Sequence, residues 1–452
     1  MKQLLFLLLG MSFATCSSDE TAPVEPTIEP GTITCQIVAP TNNAEVDPDE
    51  PLTIRGEATI ENTSVKAVQL KVGEQIIPAV NTIPFSYTYT FPASQPEGNL
   101  SLSLAVVSAE NRTSTHSVTI RLKRPDGPAA KADIVVAKDG SGHFTTVQEA
   151  INSLPSNGTT RKTIFIKAGE YYEKIAVNRP FVTLIGEQAE TTVITYDDYA
   201  GKPLEGGGEL GTQNSAGFTI NSTDFMAVNL TFSNPHKNLA GSGQNDQAVA
   251  VGVYNDRAVF YNCRLVGYQD TFYVKNAARI YCKDCYIEGN VDFIFGDAVL
   301  LCQNCQLHCN RHDSVLTAAA DHTNSLYGFT FIDCRITHIE GNDFNGRAFS
   351  TFYLGRPWKQ NARVVFIRCD EPALLNAAAW RRMSEGVDAA LFAEYQCTGA
   401  GAAEDRLAKR EMGGRQLTAE EAATYTLEQI FAAQTNPNKY KSDWLPDPKI
   451  EL

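Results

Sequence analysis

The fold of this chain is decided by a short motif that recurs along its second half. It reads MAVNLTF at residues 226–232, VFYNCRL at 259–265, YCKDCYI at 281–287, LCQNCQL at 301–307 and TFIDCRI at 330–336. Each copy has Asn or Asp, then Cys or Leu, one variable residue and an apolar residue. Successive copies are 33, 22, 20 and 29 residues apart, and a degenerate sixth copy follows after 35 more. Such periods are typical of a solenoid of stacked repeats.

Each repeat unit contains short strand-like runs and no helical pattern. Stacked units of this kind form a parallel β-helix, in which every strand except those of the two end coils pairs with a neighbouring strand on both sides. We therefore predict an all-β protein whose residues 132–452 form a right-handed parallel β-helix. Helical patterns occur only at residues 146–154, where Thr146 is the expected N-cap, and at residues 418–433.

The part of the chain before the repeats has a different character. Residues 32–124 contain alternating runs rich in Thr, Val, Ile and Tyr, separated by turn signals. This pattern predicts a small immunoglobulin-like β-sandwich, although a lone Cys35 excludes the inter-sheet disulfide of antibody domains. The module is interpreted as a spacer or a sugar-binding module. Residues 125–131 (PDGPAAK) are a linker.

The N-terminus has the features of an export signal. Lys2 precedes the apolar run 4–9, and small residues lead up to Cys16, so residues 1–16 are predicted to be a signal peptide. Its end resembles that of bacterial lipoprotein signals, in which the cysteine becomes lipidated. Residues 17–31 form a tether rich in Pro, Glu, Ser and Thr, and their acidic pair at residues 19–20 resembles a surface-export signal.

These features predict an exported outer-membrane lipoprotein, anchored through Cys16 and exposed at the cell surface. The alternative is an ordinary cleaved signal, which would give a periplasmic or secreted protein. The formal net charge of −14 argues against nucleic acid and anionic membrane surfaces as partners, because the excess of acidic residues makes a basic face costly to assemble. Contact with a membrane is therefore expected only through the lipid, and we expect a monomer.

Cysteines in two Cys-x-x-Cys pairs raise the alternative of a zinc site. Cys282 and Cys285 are separated from Cys302 and Cys305 by a spacing that resembles a zinc ribbon. However, one cysteine of each pair occupies the same repeat position as three further cysteines, Cys263, Cys334 and Cys369. That position favours a column of small side chains pointing into the coil. We predict no metal, and a disulfide within the column is left open.

Two aspartates stand in otherwise apolar or aromatic surroundings in the stretch 267–296, GYQDTFYVKNAARIYCKDCYIEGNVDFIFG. Asp270 and Asp292 are 22 residues apart, which is one coil, and neighbouring coils are about 4.8 Å apart. The two carboxylates are therefore expected to face each other. Gln247 and Gln269 are also 22 residues apart and are expected beside them. Arg356 in LGRPW (354–358) adds a cation.

The region from residue 133 to about 445 resembles the pectin methylesterases, a β-helical family of carbohydrate esterases. The similar motifs are GEYYE (169–173), QAVA (247–250), GYQDT (267–271), DFIFG (292–296) and LGRPW (354–358), in the family's order. The resemblance implies hydrolysis of the methyl esters of galacturonate units in pectin. It implies methyl-esterified homogalacturonan as the partner, methanol as a product, and no cofactor.

The resemblance also implies roles for individual residues. Asp292 matches the nucleophile, and Asp270 matches the general acid that later acts as a base. Gln247 and Gln269 match the amides that hold the oxyanion, and Arg356 matches the arginine that pairs with the nucleophile. The residues expected to contact the sugar are Trp358, Tyr268, Phe293 and Trp380.

Electrostatics gives the two acids different protonation states. Arg356 beside Asp292 favours the ionised carboxylate, whereas a like charge and burial push Asp270 toward the neutral acid. Two alternatives remain open at this point: a β-helical glycosidase or lyase acting on pectin with the same acids, and a catalytically inactive surface glycan-binding protein. The chain lacks a Gly-x-Ser-x-Gly motif, so a serine hydrolase would lack its nucleophile.

Overall fold

The structure, a computed structural model, describes residues 31–48, 51–92, 95–123, 132–239 and 242–446. The chain divides into two compact units, residues 1–125 and 126–452. The signal peptide, Cys16, the tether up to residue 30 and the whole linker lie outside the described residues. In the described ranges, no helix is long and apolar enough to cross a membrane.

The first unit is a sandwich of two β-sheets. The smaller sheet is antiparallel, with strands in the order Thr32–Ala39, Leu52–Glu61 and Phe85–Tyr89. The larger has the order Glu45–Val46, Thr113–Leu122, Gly98–Ser108, Val65–Val72 and Gln75–Ile77. Fully buried side chains such as Ile54, Leu70 and Leu104 fill its core. The predicted β-sandwich is confirmed.

The second unit is a coil of three parallel sheets. The first sheet contains Ile134–Val136, Lys162–Ile166, Val182–Gly186, Phe225–Val228, Ala258–Tyr261, Arg279–Lys283, Val299–Gln303, Phe329–Ile332, Ala362–Ile367, Ala389–Tyr395 and Arg415–Gln416. The second contains Gly169–Tyr172, Thr192–Thr195, Thr231–Ser233, Arg264–Val266, Tyr286–Gly289, Gln306–Cys309 and Arg335–His338. The third contains Ile175–Val177, Phe218–Ile220, Val251–Val253, Phe272–Val274, Val291–Gly296, Ser314–Ala319 and Phe352–Pro357.

The register of the first sheet follows the spacing of the sequence motif. Its consecutive partners are Phe225 with Ala258, Ala258 with Ile280, Ile280 with Leu300, Leu300 with Phe329, and Phe329 with Val364. These separations are the same as those between the motif copies. One repeat is therefore one coil, and the predicted parallel β-helix is confirmed.

The Asn or Asp of the motif makes the turn that leaves the first sheet. This residue has a positive φ between 45° and 56° at Asn229, Asn262, Asp284, Asn304 and Asp333. Short polar side chains tolerate this left-handed conformation better than other non-glycine residues. The amides also stack from coil to coil, since Asn262 Nδ2 donates to Asn229 Oδ1 at 2.8 Å. The motif thus encodes the turn that closes each coil.

The next residue of the motif points into the coil. The side chains at this position are at most 2% exposed at Leu230, Cys263, Cys285, Cys305, Cys334 and Cys369. The cysteine thiols donate to backbone carbonyls of the coil before, as from Cys285 Sγ to Phe260 O at 3.4 Å and from Cys334 Sγ to Cys302 O at 3.4 Å. All ten described cysteines are free, and within the described residues no group of three or more His, Cys, Asp or Glu could hold a metal.

Short helices lie in connections between strands of the coil and in the C-terminal segment. In the described part of the chain, four are α-helices, Val147–Asn152, Glu404–Leu407, Ala419–Ala422 and Leu427–Ile430, and three are 3-10 turns, Gln213–Ser215, Ala400–Ala402 and Ala433–Thr435. The first confirms the predicted helix after Thr146. The prediction of one helix over 418–433 is wrong. Thr426 accepts a hydrogen bond from the Gln429 N–H at 3.2 Å and so caps a second, separate helix.

The C-terminal segment covers the outer face of the first sheet. Phe431 packs against Tyr281 there with ring centroids 6.3 Å apart. Arg279, which is 1% exposed, ties the segment down by donating to Phe431 O at 2.8 Å and Ser442 O at 2.9 Å. Its charge is balanced by Asp256 at 2.7 Å. The buried cation therefore links the coil to its C-terminal cover.

Gly296 ends the strand of the third sheet that carries Asp292. A substitution at this glycine tests how closely neighbouring coils must approach. Its φ is +127°, and a Cβ there would lie 1.7 Å from Val274 O of the preceding coil. We expect Gly296→Ala to lower the free energy of unfolding by about 3 kcal/mol or more, because the strands must separate. Gly413→Ala is the matched control, since Gly413 has a φ of +73° and no atom within 4 Å of its Cβ position.

Urea unfolding of the two variants measures the difference. The control should lose only about 1–2 kcal/mol, the cost of a left-handed alanine. Equal losses in the two variants would show that the close approach of the coils at Gly296 is not a packing constraint.

Candidate active site

A cavity of about 450 Å³ lies on the outer face of the third sheet. It brings together all five residues predicted to be catalytic and one of the four predicted to bind the sugar. Its lining residues are Thr212, Gln213, Gln247, Gln269, Asp270, Tyr273, Asp292, Phe295, Ala318, Arg356, Trp358 and Met383.

The two aspartates lie on adjacent coils at the turn that enters the third sheet. The Asp270 N–H donates to Val291 O at 3.0 Å, which aligns Asp270 with Asp292 one coil further on. Both have left-handed backbones, with φ of 66° and 51°. Their exposures are only 8% and 7%. Left-handed residues like those that follow the first sheet therefore also occur before the third sheet, where they supply two buried carboxyl groups.

Arg356 holds the Asp292 carboxylate with two hydrogen bonds. Its Nε donates to Oδ1 at 2.8 Å and its Nη2 donates to Oδ2 at 2.7 Å. In the register of the third sheet, Arg356 pairs with Ala318, which pairs in turn with Phe295. The small alanine leaves space for the guanidinium to turn back toward Asp292. A bidentate pair of this kind fixes the plane of the carboxylate.

Burial and charge set the order in which the two acids ionise. Burial raises the pKa of Asp270 well above its usual range, and the neighbouring Asp292 raises it further, against the opposing effect of Arg356. Burial also raises the pKa of Asp292, and here Arg356 opposes the rise through both hydrogen bonds and charge. Asp292 therefore loses its proton before Asp270, because only Asp292 is hydrogen-bonded to the guanidinium.

An aromatic wall forms one side of the cavity. Tyr273 and Phe295 are partners in the sheet register, and their rings stack with centroids 4.2 Å apart. Trp358 stands edge-on to Phe295 at 5.9 Å. Trp358 was predicted from the sequence to bind the sugar, and Phe295 was considered only as a residue that either lines the groove or packs, whereas Tyr273 was not singled out. Their signal was their common place one coil apart, three residues after Asp270 and Asp292 respectively.

The prediction that Phe293 contacts the sugar is wrong. Phe293 is fully buried inside the coil, because it follows the outward-facing Asp292 and adjacent residues of a strand face opposite sides. A register irregularity between Val291 and Ile294 then shifts the alternation, so that Phe295 faces the cavity. Alternation alone could have excluded Phe293, and the offset of three residues from the aspartate, which Phe295 shares with Tyr273, marks the residue that faces the cavity instead.

Trp380 is also wrong as a sugar-binding residue. It is fully buried and stacks on Phe392 with ring centroids 4.2 Å apart, so it fills the interior of the last coils. Tyr268 is half-buried beside the turn of Asp270 and packs edge-on against Phe344 at 5.1 Å, outside the cavity lining.

Three lining residues come from segments outside the repeat pattern. Thr212 and Gln213 belong to the long connection before Phe218–Ile220, and Met383 follows the last strand of the third sheet. Lys275 donates to Gln213 Oε1 at 3.0 Å and so ties this connection to the coil. Sequence reasoning missed these residues because loops of irregular length carry no periodic signal.

Comparison with known proteins agrees with this architecture. A family model described as Pectinesterase matches residues 133–434, and one described as Bacterial Ig domain matches residues 34–120. Pectinesterase 31 of Arabidopsis thaliana is 35% identical over 298 residues, which are 64% of this chain and 89% of that protein. Pectinesterase 2 of Citrus sinensis is 37% identical over 277 residues, which are 60% of this chain and 52% of that protein.

Solved structures show the same similarity. Pectin methylesterase PemA from Erwinia chrysanthemi matches with a TM-score of 0.56 at 29% identity, over 70% of this chain and 99% of that chain. The pectin methylesterase from carrot matches with a TM-score of 0.56 at 31% identity, over 68% of this chain and 93% of that chain. Because the family model spans well over half of its residues, the chain belongs to the pectinesterase family, with a bacterial immunoglobulin-like domain preceding the β-helix.

Proposed function

We propose that the β-helix unit hydrolyses the methyl esters of galacturonate units in pectin through a covalent intermediate on Asp292. Membership of the pectinesterase family makes the protein a carboxylic ester hydrolase that de-esterifies pectin. The observation that supports the individual roles is the unequal pair of carboxyl groups. Arg356 holds Asp292 at 2.8 and 2.7 Å, while burial and Asp292 together keep Asp270 protonated.

In the first half of the reaction, an oxygen of ionised Asp292 attacks the ester carbonyl carbon. Negative charge moves onto the carbonyl oxygen, where the amides of Gln247 and Gln269 donate hydrogen bonds. Asp270 gives its proton to the methoxy oxygen, the carbon–oxygen bond breaks, and methanol leaves. An acyl anhydride between Asp292 and the galacturonate unit remains.

In the second half, the ionised Asp270 takes a proton from water. The hydroxide attacks the anhydride carbonyl carbon, and the bond to Asp292 breaks. Asp292 leaves as a carboxylate that Arg356 receives, and Asp270 holds a proton again. The net change is one ester and one water converted to one carboxylic acid and methanol.

The neutral amides suit this site because they stabilise the oxyanion without competing with Arg356 for the nucleophile. Each such donor is worth about 2.7–4 kcal/mol of transition-state stabilisation. The wall of Tyr273, Phe295 and Trp358 offers apolar faces to the sugar rings. The alternative readings as a glycosidase, a lyase or an inactive binding protein remain outcomes of the experiment on Asp292.

Export and anchoring are proposed from the sequence alone. The first sixteen residues read as a lipoprotein-type signal, so we infer that Cys16 carries the lipid and that the enzyme works at the cell surface. The acidic pair at residues 19–20 supports the surface location over the periplasm. We also propose that the enzyme works as a monomer.

Asp292→Ala should reduce methanol release from methyl-esterified pectin by about 10³-fold or more, because Asp292 is the one carboxylate among the described residues that Arg356 holds for the attack. Pectin chain length should stay constant during the wild-type reaction. Methanol release and size-exclusion profiles measure the two quantities. Asp284→Asn is the matched control, since Asp284 also has a left-handed backbone but closes a coil at the far end of a strand of the first sheet.

The control variant should retain wild-type activity. Unchanged methanol release by Asp292→Ala would refute the nucleophile assignment. Shortening of the pectin chain by the wild type would instead favour a glycosidase or lyase, and binding without either reaction would favour an inactive glycan-binding protein.

Asp270→Asn should abolish activity yet stabilise the fold at neutral pH. The folded-state pKa of Asp270 lies above the unfolded value of about 3.9. Its proton therefore stabilises the folded state at low pH, and that contribution is lost as pH rises through the folded pKa. Replacing the carboxyl removes this loss, so the gain in Tm should be about 2 °C or more at pH 8 and smaller at pH 4.

Thermal unfolding of wild type and variant at both pH values checks this expectation. A lower Tm for Asp270→Asn at pH 8, or an equal gain at both pH values, would contradict the raised pKa.

Cys16→Ser should prevent lipid attachment and move the expressed protein from the detergent phase to the aqueous phase of a Triton X-114 partition. Cys35→Ser is the control, because Cys35 is a partly buried residue of a strand in the β-sandwich, and its replacement should leave the partition unchanged. Partition of Cys16→Ser into the detergent phase to the wild-type extent would refute the anchor.

A further inference from the structure

A chain of buried carboxamides leads from the cavity to the strand that carries the nucleophile. Gln269 Oε1 accepts a hydrogen bond from Asn238 Nδ2 at 3.3 Å. Asn238 Oδ1 accepts from Asn290 Nδ2 at 3.1 Å, and Asn290 Oδ1 accepts from the Val291 N–H at 2.7 Å. Asn238 is 5% exposed and Asn290 is fully buried. The Gln269 carboxamide is therefore hydrogen-bonded on the side that faces away from the cavity.

The direction of this chain is fixed at its inner end. A backbone N–H can only donate, so the oxygen of Asn290 must face Val291 and its NH₂ group must face Asn238. A carboxamide has one accepting end and one donating end, so Asn238 must turn its own NH₂ group toward Gln269. Gln269 then receives this bond on its oxygen and is left with its NH₂ group free to face the cavity.

A second branch fixes the same direction independently. Asn290 Nδ2 also donates to Asn310 Oδ1 at 3.1 Å. Asn310 Nδ2 donates to Gly267 O at 2.9 Å and to a Glu288 carboxylate oxygen at 2.9 Å. Carbonyl and carboxylate oxygens only accept, so Asn310 must present its own oxygen to Asn290. A donor at one end of the network and acceptors at the other thus require the same orientation of Asn290.

We propose that Asn238 and Asn290 are positioning residues that hold the Gln269 NH₂ group toward the developing oxyanion. This inference rests on the proposed function of Gln269. The reversed carboxamide would present Oε1 to the oxyanion, and two acceptors would repel each other. The chain therefore fixes a donor before substrate arrives, which is the condition under which such donors lower a barrier most.

The test is a double-mutant cycle on the intact protein, with methanol release from methyl-esterified pectin as the readout. Asn238→Ala should lower kcat by about 10- to 100-fold, part of the 10²- to 10³-fold loss typical for an oxyanion donor, and leave KM within about two-fold. In a Gln269→Ala background, the same substitution should lower kcat by less than about two-fold, because Asn238 acts through Gln269.

Asn436→Ala is the matched control for loss of a buried amide. Asn436 is 4% exposed and donates to Ser325 Oγ at 3.2 Å near the C-terminal segment. This variant should lose stability in urea but keep the wild-type kcat. Asn238→Ser, which retains a polar group toward Asn290, serves in the same cycle where the alanine variant does not fold.

The outcomes distinguish a failure of the proposed function from a failure of the positioning role of Asn238. Absence of methanol release by the wild type would overturn the proposed function itself. Wild-type activity with an unchanged kcat for both Asn238 variants would overturn the positioning role alone. An equal loss of kcat with and without Gln269 would also overturn it, since a merely structural effect of Asn238 does not depend on that side chain.

Discussion

Each coil of the β-helix must close so that its strands meet those of the coil before in parallel register. The closure depends on a left-handed residue at the turn, such as Asn262 or Asp284 after the first sheet. The same conformation recurs at Asp270 and Asp292 before the third sheet. Parallel stacking then places side chains one repeat apart at neighbouring positions. The facing carboxyl groups are thus a direct consequence of how the coil closes.

This arrangement has a cost in stability that the site requires. Two carboxyl groups lie nearly buried on neighbouring coils, and Arg356 is bonded to only one of them. A second cation beside Asp270 would relieve the repulsion and would also lower its pKa, so that it could no longer hold a proton for the leaving methanol. The unequal pairing therefore accepts some destabilisation in exchange for two different protonation states.

Properties that repeat could be predicted from the sequence, and properties that occur once could not. The coil, its cysteine column and the alignment of Asp270 with Asp292 all follow from spacing. The outward position of Phe295 also follows from spacing, since it lies one coil after Tyr273, although simple alternation from Asp292 would turn it inward. Trp380 was misplaced because the sequence alone does not distinguish a tryptophan inside the coil from one that lines the cavity. The C-terminal helix was predicted to be too long, because helical periodicity does not reveal that Thr426 caps a separate second helix.

The chain of hydrogen-bonded amides occurs only once in the described coil, yet it depends on the repeating register of the strands. Asn238 comes from a connection of irregular length, so no repeat announces its contact with Gln269. Asn290, by contrast, stands two residues before Asp292, and its oxygen is fixed by the N–H between them. The backbone that sets the nucleophile therefore also sets the direction of the oxyanion donor. A shift of this strand would disturb both groups together, which ties the chemistry of the cavity to the register of the coil.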